Sequence, residues 1–245
     1  MSALPDPFRW EGEHIAADLP GGRVLFSSRH GGVSPAPYDS LNLGRLTDDD
    51  PANVEANRDR LGAAIGFPWS RVLFGKQVHG ATVRRATGYD VPVAEEDGQA
   101  TALRDAAALV FVADCLPVML TSDRAVAALH CDRRPLADGI IAEGVAAVRE
   151  LGADGPLTAA IGPGARGCCY EVGEEVHAVF AGVPGARVGE RNLDLPAIAR
   201  HFLHAAGVET VHDTSICTIC DDRFFSHRRD GGVTGRQAGL AWRVR

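Results

Sequence analysis

The chain has 245 residues, of which 45% are hydrophobic, and its formal net charge is -7 at pH 7. This hydrophobic fraction is typical of a globular protein with a sizeable core. The acidic balance argues against a nucleic-acid partner, which would need a basic face to displace counterions. The N-terminal residues lack the basic start and apolar stretch of a signal peptide, and no run of about 18 apolar residues follows. We therefore expect a cytoplasmic protein without a membrane partner, in which the 6 cysteines stay reduced.

Four helices are predicted from apolar residues at helical spacing and from capping residues at their ends. An Asp-Pro pair marks the start of the first helix, and acidic residues in the first turn mark the third. Their bounds in chain order are Asp50 to Gly66, about Asp138 to Leu151, Gly173 through the segment GEEVHAVF, and Asp194 to Gly207.

Strands are predicted where short apolar, β-branched runs lie between turn residues. They are RVLFSS from Arg23, RVLF from Arg71, ALVFVAD from Ala108, AVAALH from Ala125 and LTAAI from Leu157. A tight polar turn at 122–124 joins ALVFVADCLPVML to AVAALH, which indicates an antiparallel hairpin rather than a βαβ crossover. Because helices and strands do not alternate strictly, we predict an α+β fold with a mixed sheet, in one domain spanning residues 1–245.

Three potential metal ligands lie at or near the ends of predicted strands. They are His79 in LFGKQVHG, Cys115 in FVADCLPV and His130 in AALHCDRR. Functional residues gather at strand ends, where rigid scaffold meets loop. Two imidazoles and one thiolate suit zinc and leave a fourth coordination position for water or a substrate. Spacing alone is a weak signal, since a buried thiol and two hydrogen-bonded surface histidines would give the same pattern.

Two other patterns suggest chemistry that we do not favour. Residues 162–167, GPGARG, match the GxGxxG pattern of dinucleotide sites, but no clear strand ending in an acidic ribose ligand follows, and Pro163 stiffens the turn. A structural glycine loop is the preferred interpretation. The two histidines, the cysteine and Met119 are also blue-copper ligand types. A multicopper oxidase would need several His-x-His pairs, which this sequence does not contain, so copper chemistry is disfavoured.

Cys217 and Cys220 form a lone CxxC motif. Because no second pair stands at zinc-ribbon spacing, a structural zinc site here requires Cys168 or Cys169 to fold against the motif. A thioredoxin-type role would place the motif at the start of a helix that follows a strand. The default prediction is a set of buried or partly exposed thiols.

Several arginines lie in glycine-rich turns and are candidates for an anion pocket. Arg29 opens RHGGVS, and Arg228, Arg229 and Arg236 lie in FFSHRRDGGVTGRQ. Such turns let backbone N–H groups approach an anion, and arginine adds a forked donor suited to phosphate. A solvated surface position is an equally good interpretation of each arginine. Arg236, which directly follows a glycine, is the preferred pocket residue.

Taken together, these segments resemble the YfiH family, also called peptidoglycan editing factor and formerly labelled polyphenol oxidase or laccase-domain proteins. The resembling segments in chain order are RHGGVSPAPYDSLNLG, ANRDRL, KQVHG, ADCLPV, IGPGARGCCYEVGEEV, LDLPAIAR and CTICDDRFFSHRRDGGVTGR. The resemblance extends from about residue 23 to residue 245, nearly the whole chain. The resemblance implies an α/β/β/α layered fold with mixed sheets, related to a Cys-His toxin deamidase superfamily.

The resemblance also implies a function. It implies zinc-binding and catalytic roles for His79, Cys115 and His130. It implies phosphorolysis of adenosine, inosine, guanosine and methylthioadenosine, and deamination of adenosine; bacterial members are linked to peptidoglycan editing. We accordingly expect Zn²⁺ as cofactor, phosphate as co-substrate, a purine nucleoside as small-molecule partner, and a monomer or weak homo-oligomer. The substrate-binding residues predicted for the pocket are Arg29, Asn42, Gln77 and Arg236.

One segment departs from the family's pattern. After the second histidine the family usually reads Ala-Gly-Trp-Arg-Gly, where this chain has CDRRP at 131–135. The change removes the family's glycine, which allows close approach to the metal, and its tryptophan, which provides an aromatic surface beside the metal. Arg133 and Arg134 are equal candidates to replace the family's arginine. The interval from Cys115 to His130 is also about two residues shorter than usual. Because side chains alternate between the two faces of a strand, removing two residues leaves His130 on the same face of the sheet.

Two alternatives belong to other functional classes. One is a metal-free Cys-His hydrolase or amidase with Cys115 as nucleophile and a histidine as base. The other is a zinc-stabilised binding protein without turnover, which the altered segment after His130 makes harder to dismiss. Chelation separates the metalloenzyme from the hydrolase, and product formation separates either enzyme from the binding protein.

Overall fold

The computed structural model describes residues 3–89 and 93–244. The α-helices of these residues are α1 Pro51–Ile65, α2 Arg133–Ala137, α3 Ile140–Glu150, α4 Glu174–Val179 and α5 Leu195–Ala205. The four predicted helices are confirmed as α1, α3, α4 and α5, and the short α2 was not predicted. Within the described ranges, no helix combines the length and the apolar character needed to cross a membrane.

The capping residues explain where the two most regular helices begin and end. Asp50 accepts a hydrogen bond from the N–H of Ala52, and Gly66 closes α1 in the left-handed conformation at φ 78°. Asp194 caps α5 in the same way through the N–H of Ala197. These contacts satisfy backbone groups that helix ends leave without partners.

Twelve of the strands form two six-stranded sheets. The first sheet contains, in spatial order, β1 Arg9–Glu11, β2 His14–Leu19, β3 Gly22–Phe26, β14 Gln237–Arg243, β7 Ala107–Val112 and β4 Val72–Leu73. The second contains β13 Thr210–Asp213, β10 Thr158–Ile161, β8 Leu116–Thr121, β9 Val126–Cys131, β6 Gly98–Thr101 and β5 Val83–Ala86. A separate ribbon pairs β11 Arg187–Val188 with β12 Asn192–Leu193.

Both large sheets mix parallel and antiparallel pairs. In the first sheet β4 runs parallel to β7 while the other pairs are antiparallel. In the second sheet the parallel pairs are β5 with β6 and β10 with β13. The predicted strand from Arg71 is shorter than expected, because Arg71 ends a 3₁₀ turn that begins at Trp69.

The layers follow from the alternation of side chains along the strands. One core lies between the sheets and includes Phe26 and Met119. A second core packs the outer face of the first sheet against α1, and a third packs the outer face of the second sheet against α3 and α5. The predicted α+β fold with α/β/β/α layers is therefore confirmed.

The predicted hairpin is confirmed only for its second half. β8 and β9 pair antiparallel across the turn at 122–125, but ALVFVAD forms β7 in the other sheet. The chain changes sheets at Ala113–Cys115, where Asp114 adopts a positive φ of 86°. Gly239 of β14 keeps the sheets close here, since a Cβ at this position would lie 2.4 Å from the Pro117 side chain.

Candidate active site

The structure brings the three predicted metal ligands together. His79 lies in the loop between β4 and β5, Cys115 immediately precedes β8, and His130 lies in β9. Their ligand atoms all lie within 4.8 Å of one another. The sulfur of Cys115 is 4.0 Å from Nε2 of His79, and the centroids of the two imidazole rings are 4.9 Å apart.

The pairing of β8 with β9 places two of these ligands side by side. Pro117 stands opposite His130 and Leu116 opposite Cys131, so Cys115 enters the hairpin next to the end of β9. Cys131 belongs to the core on the helix side of this sheet. His130 therefore points to the opposite side, toward the first sheet and Cys115.

Asp97, which the sequence analysis missed, supports both histidines. One carboxylate oxygen lies 2.7 Å from Nδ1 of His130. The same carboxylate accepts hydrogen bonds from the N–H groups of Val78, His79 and Gly80 at 2.8–3.0 Å. These bonds hold His79 at its positive φ of 60°. When Nδ1 of His130 donates to Asp97, Nε2 is free to bind a metal ion, which is the arrangement that histidine metal sites generally use.

Asp114 positions Cys115 in a comparable way. Its carboxylate accepts hydrogen bonds from the hydroxyl of Thr218 and from the N–H of Arg228, both at 2.7 Å. Its carbonyl accepts the N–H of Ala165 at 2.6 Å. Three segments distant in sequence thus hold the turn that presents the thiol.

Local electrostatics favour neutral ligands at this site. Loss of solvent around the ring lowers the pKa of His79, and nearby His130 lowers it further. Burial raises the pKa of the Cys115 thiol well above its usual value, and the carboxylates of Asp132 and Asp114 raise it further. A thiol in this environment is a poor nucleophile by itself, and a bound cation is what would favour its thiolate.

A cavity of about 790 Å³ opens over the three ligands. Of the predicted substrate-binding residues, Gln77 and Arg236 line it. The amide of Gln77 hydrogen-bonds the N–H and the carbonyl of Phe111, both at 2.7 Å, and so ties the His79 loop to β7. Arg236 is anchored to the carbonyls of Thr234 and Gly235 and keeps its cation inside the cavity.

Arg29 and Asn42 do not line this cavity. Arg29 binds the carbonyl and carboxylate of Asp39 and stacks over the ring of Phe225. Asn42 is fully buried, and its side-chain oxygen Oδ1 accepts hydrogen bonds from the N–H groups of Gly44 and Arg236 at 3.0 and 2.9 Å. Asn42 therefore supports the backbone of Arg236, and its side chain is not exposed to a substrate.

The structure distinguishes the two arginines of the altered segment. Arg133 lines the cavity, whereas Arg134 is exposed outside it. Asp132 and the ring of Tyr170 line the same wall, with the Tyr170 hydroxyl 3.3 Å from the carboxylate. Tyr170 thus offers an aromatic surface near the position from which the family's tryptophan is missing. Neither Asp132 nor Tyr170 was predicted as a site residue.

Comparison with known proteins places this geometry in a family. Residues 23–244 match the family model described as multi-copper polyphenol oxidoreductase laccase, a metal-binding family. The solved structure of YfiH from Bacillus licheniformis superposes with a TM-score of 0.90 at 26% identity, covering 98% of this chain and 100% of that one. The chain belongs to the YfiH family.

Other family members agree over the same length. YlmD from Geobacillus stearothermophilus superposes with a TM-score of 0.89 at 32% identity, covering 98% of this chain and 100% of YlmD. A Streptomyces griseus protein named purine nucleoside phosphorylase ORF3 is 39% identical over 242 residues, which cover 94% of this chain and 98% of the relative. The resemblance stated from the sequence is confirmed.

Proposed function

We propose that this chain is a zinc-dependent purine nucleoside phosphorylase that accepts adenosine, inosine, guanosine and methylthioadenosine and also deaminates adenosine. The observation that carries the proposal is the convergence of His79, Cys115 and His130 at a cavity that also holds the guanidinium of Arg236. Relatives of nearly the same length are named purine nucleoside phosphorylases, which supports purine nucleoside and phosphate as substrates. A role in peptidoglycan editing stays a prediction.

The donor set fits zinc. Nitrogen and sulfur ligands at about 2.0 and 2.3 Å from a tetrahedral ion lie about 3.5 Å apart, and the distance between His79 Nε2 and Cys115 Sγ is 4.0 Å. A blue-copper site would need an axial ligand such as Met119. Met119 lies in the core between the sheets, four residues along β8 at about 3.3 Å per residue from Cys115. When bound, Zn²⁺ would supply a Lewis acid beside the substrate.

Phosphorolysis transfers the ribosyl group from a purine nitrogen to a phosphate oxygen. The bond from C1′ to N9 breaks as the bond from C1′ to a phosphate oxygen forms, and the base leaves with the proton that hydrogen phosphate loses. The sugar becomes cation-like on the way, so catalysis depends on orientation and fixed charges. In the proposed arrangement Arg236 orients phosphate, and the Asp132 carboxylate supplies negative charge near the ribosyl group. Phe111 and Tyr170 offer the purine an apolar wall.

The function is tested by incubating the purified protein with adenosine or inosine, with and without phosphate, and separating the products by chromatography. Free base and ribose 1-phosphate should form only with phosphate, and inosine formed from adenosine without phosphate would report deamination. Chelation should abolish both activities, and added Zn²⁺ should restore them.

The same assay separates the two alternative functions. Activity that persists after complete removal of the metal would favour a Cys-His hydrolase with Cys115 as nucleophile. A thermal shift with nucleoside but no product under any condition would favour a binding protein. Either outcome contradicts the proposed phosphorylase.

Replacement of Arg236 by glutamine tests the phosphate-binding role. Loss of a charge-assisted hydrogen bond worth about 1.5–3 kcal/mol should raise the KM for phosphate about 10- to 100-fold. The KM for nucleoside should change much less. Arg45→Gln is a matched control, because Arg45 lies at the exposed rim of the same cavity and pairs with Glu55. An equal increase in the KM for phosphate in both variants would refute a specific role for Arg236.

A further inference from the structure

Four cysteines form a second thiol group in the described part of the chain. The sulfur atoms of Cys168, Cys169, Cys217 and Cys220 all lie within 4.8 Å of one another. Two of the distances are 3.7 Å, between Cys168 and Cys220, and 3.9 Å, between Cys169 and Cys217. Sulfurs bound at about 2.3 Å to a tetrahedral zinc ion lie about 3.8 Å apart. Two pairs therefore already have the spacing of a tetrathiolate site.

The sheet topology explains why these thiols meet. β10 and β13 are parallel neighbours, so the loops that follow them leave the same edge of the sheet. Cys168 and Cys169 lie in the loop after β10, and the CxxC motif lies in the loop after β13. The loops also bond directly to each other, because the N–H of Thr218 donates to the carbonyl of Gly164 at 3.1 Å. The two cysteine pairs therefore fold against each other, which is the condition for a structural zinc site at the CxxC motif.

We propose that Cys168, Cys169, Cys217 and Cys220 bind a structural Zn²⁺ ion, separate from the His79, Cys115 and His130 group. Tetrahedral sulfur sets favour zinc. The N–H groups of Cys220 and Asp221 donate to the carbonyl of Cys217 at 3.2 and 3.0 Å, so the CxxC motif folds into a tight turn that brings its two sulfurs together.

The surroundings of the four thiols suit a metal centre at the protein surface. Arg166 and Arg223 line the same depression of about 570 Å³ and are held there by ion pairs with Asp213 and Asp221. Cys169 and Cys220 stand closest, at 2.6 Å, and must separate by about 1 Å to bind zinc. Because Cys220 is exposed, a rotation about its χ1 angle allows this change.

The proposed ion would stabilise the active site without contacting a substrate. The loop after β10 donates the N–H of Ala165 to the carbonyl of Asp114, and the loop after β13 donates the Thr218 hydroxyl to its carboxylate. Asp114 is the residue that presents Cys115. Joining the two loops through one ion therefore holds the turn at Asp114 from both sides.

Metal content of the protein purified under reducing conditions tests the proposal. Wild type should bind about two zinc ions per chain, and Cys168→Ser/Cys220→Ser about one. Loss of the structural ion should also lower Tm by about 5–15 °C, since binding of such an ion is folding free energy. Cys131→Ala is the matched control and should keep both ions, because Cys131 lies in the core on the helix side of the second sheet.

A second measurement on the wild-type protein keeps the test decisive if the double variant does not fold. Co²⁺ substitution should give the strong sulfur-to-metal absorption of a tetrathiolate site in addition to the bands of the His₂Cys site. Three results would overturn the proposal. They are one zinc ion in wild type and double variant alike, iron in place of zinc, or a Cys169–Cys220 disulfide found by mass spectrometry in protein alkylated at lysis before any reductant is added.

Discussion

Cys115→Ala is expected to lower kcat/KM for phosphorolysis by at least about 10³-fold while the fold remains intact, because a bound metal ion supplies several kcal/mol of charge stabilisation. Alanine removes the sulfur at the end of the turn held by Asp114 and leaves His79 and His130 as a two-ligand site. The variant should therefore lose zinc from this site as well as activity. Chromatographic assays and metal analysis of the same preparation measure both quantities.

Cys131→Ala is the control for this experiment. Cys131 is the same residue type in the same hairpin, but its side chain belongs to the core on the helix side of the sheet. Its replacement should leave turnover nearly unchanged. A Cys115→Ala protein with wild-type turnover would refute the site. A Cys115→Ala protein that is inactive but keeps its full zinc content would instead indicate a cysteine nucleophile.

Asp97→Asn is expected to weaken zinc binding at the His79, Cys115 and His130 site about 10- to 100-fold, the usual effect of removing a partner of a metal ligand. Asp97 is fully buried and accepts hydrogen bonds from three successive backbone N–H groups as well as from His130. The side-chain NH₂ group of asparagine would face N–H groups that the carboxylate of Asp97 now accepts, so at least one of these hydrogen bonds would be lost. The free energy of unfolding, measured by urea denaturation, should therefore fall by about 1–3 kcal/mol.

Glu95→Gln provides the comparison for Asp97→Asn. Glu95 lies two positions earlier in the same segment, and its exposed carboxylate pairs with Lys76. Exposed ion pairs contribute about 0–1 kcal/mol, so this variant should retain both its metal affinity and its stability. Competition of each variant with a chromophoric zinc chelator measures the affinities. Indistinguishable affinities for the Asp97 and Glu95 variants would show that Asp97 does not support the ligands.

The elements predicted correctly from the sequence are those in which local signals agree. α1 combines an Asp-Pro start with a glycine end, and β9 is an apolar run interrupted only by His130. The strands that were missed carry polar residues or glycine, as in VRRA of β5 and GQAT of β6. Their pairing depends on partners distant in the chain, which periodicity does not report.

The same distinction holds for the site. The three candidate metal ligands could be chosen from the sequence because they lie in recognisable segments, and the structure brings them together. Two of the four predicted pocket residues line the cavity. Asp97 was missed because its role arises only when β6 pairs with β9. A general rule could have found it, since a histidine ligand usually donates its second ring N–H to a buried acceptor such as a carboxylate. The meeting of the four other cysteines likewise required the parallel pairing of β10 with β13.

The position of β14 has a consequence for how the protein is made. This last strand of the described chain lies between β3 and β7, so the first sheet remains split until residues 237–243 have left the ribosome. Until then, β3 and β7 each present an unpaired edge, the kind of surface that promotes aggregation of nascent chains. Arg236 and the end of β7 also come together only at that stage. The candidate active site is therefore complete only after residues 237–243 have emerged from the ribosome.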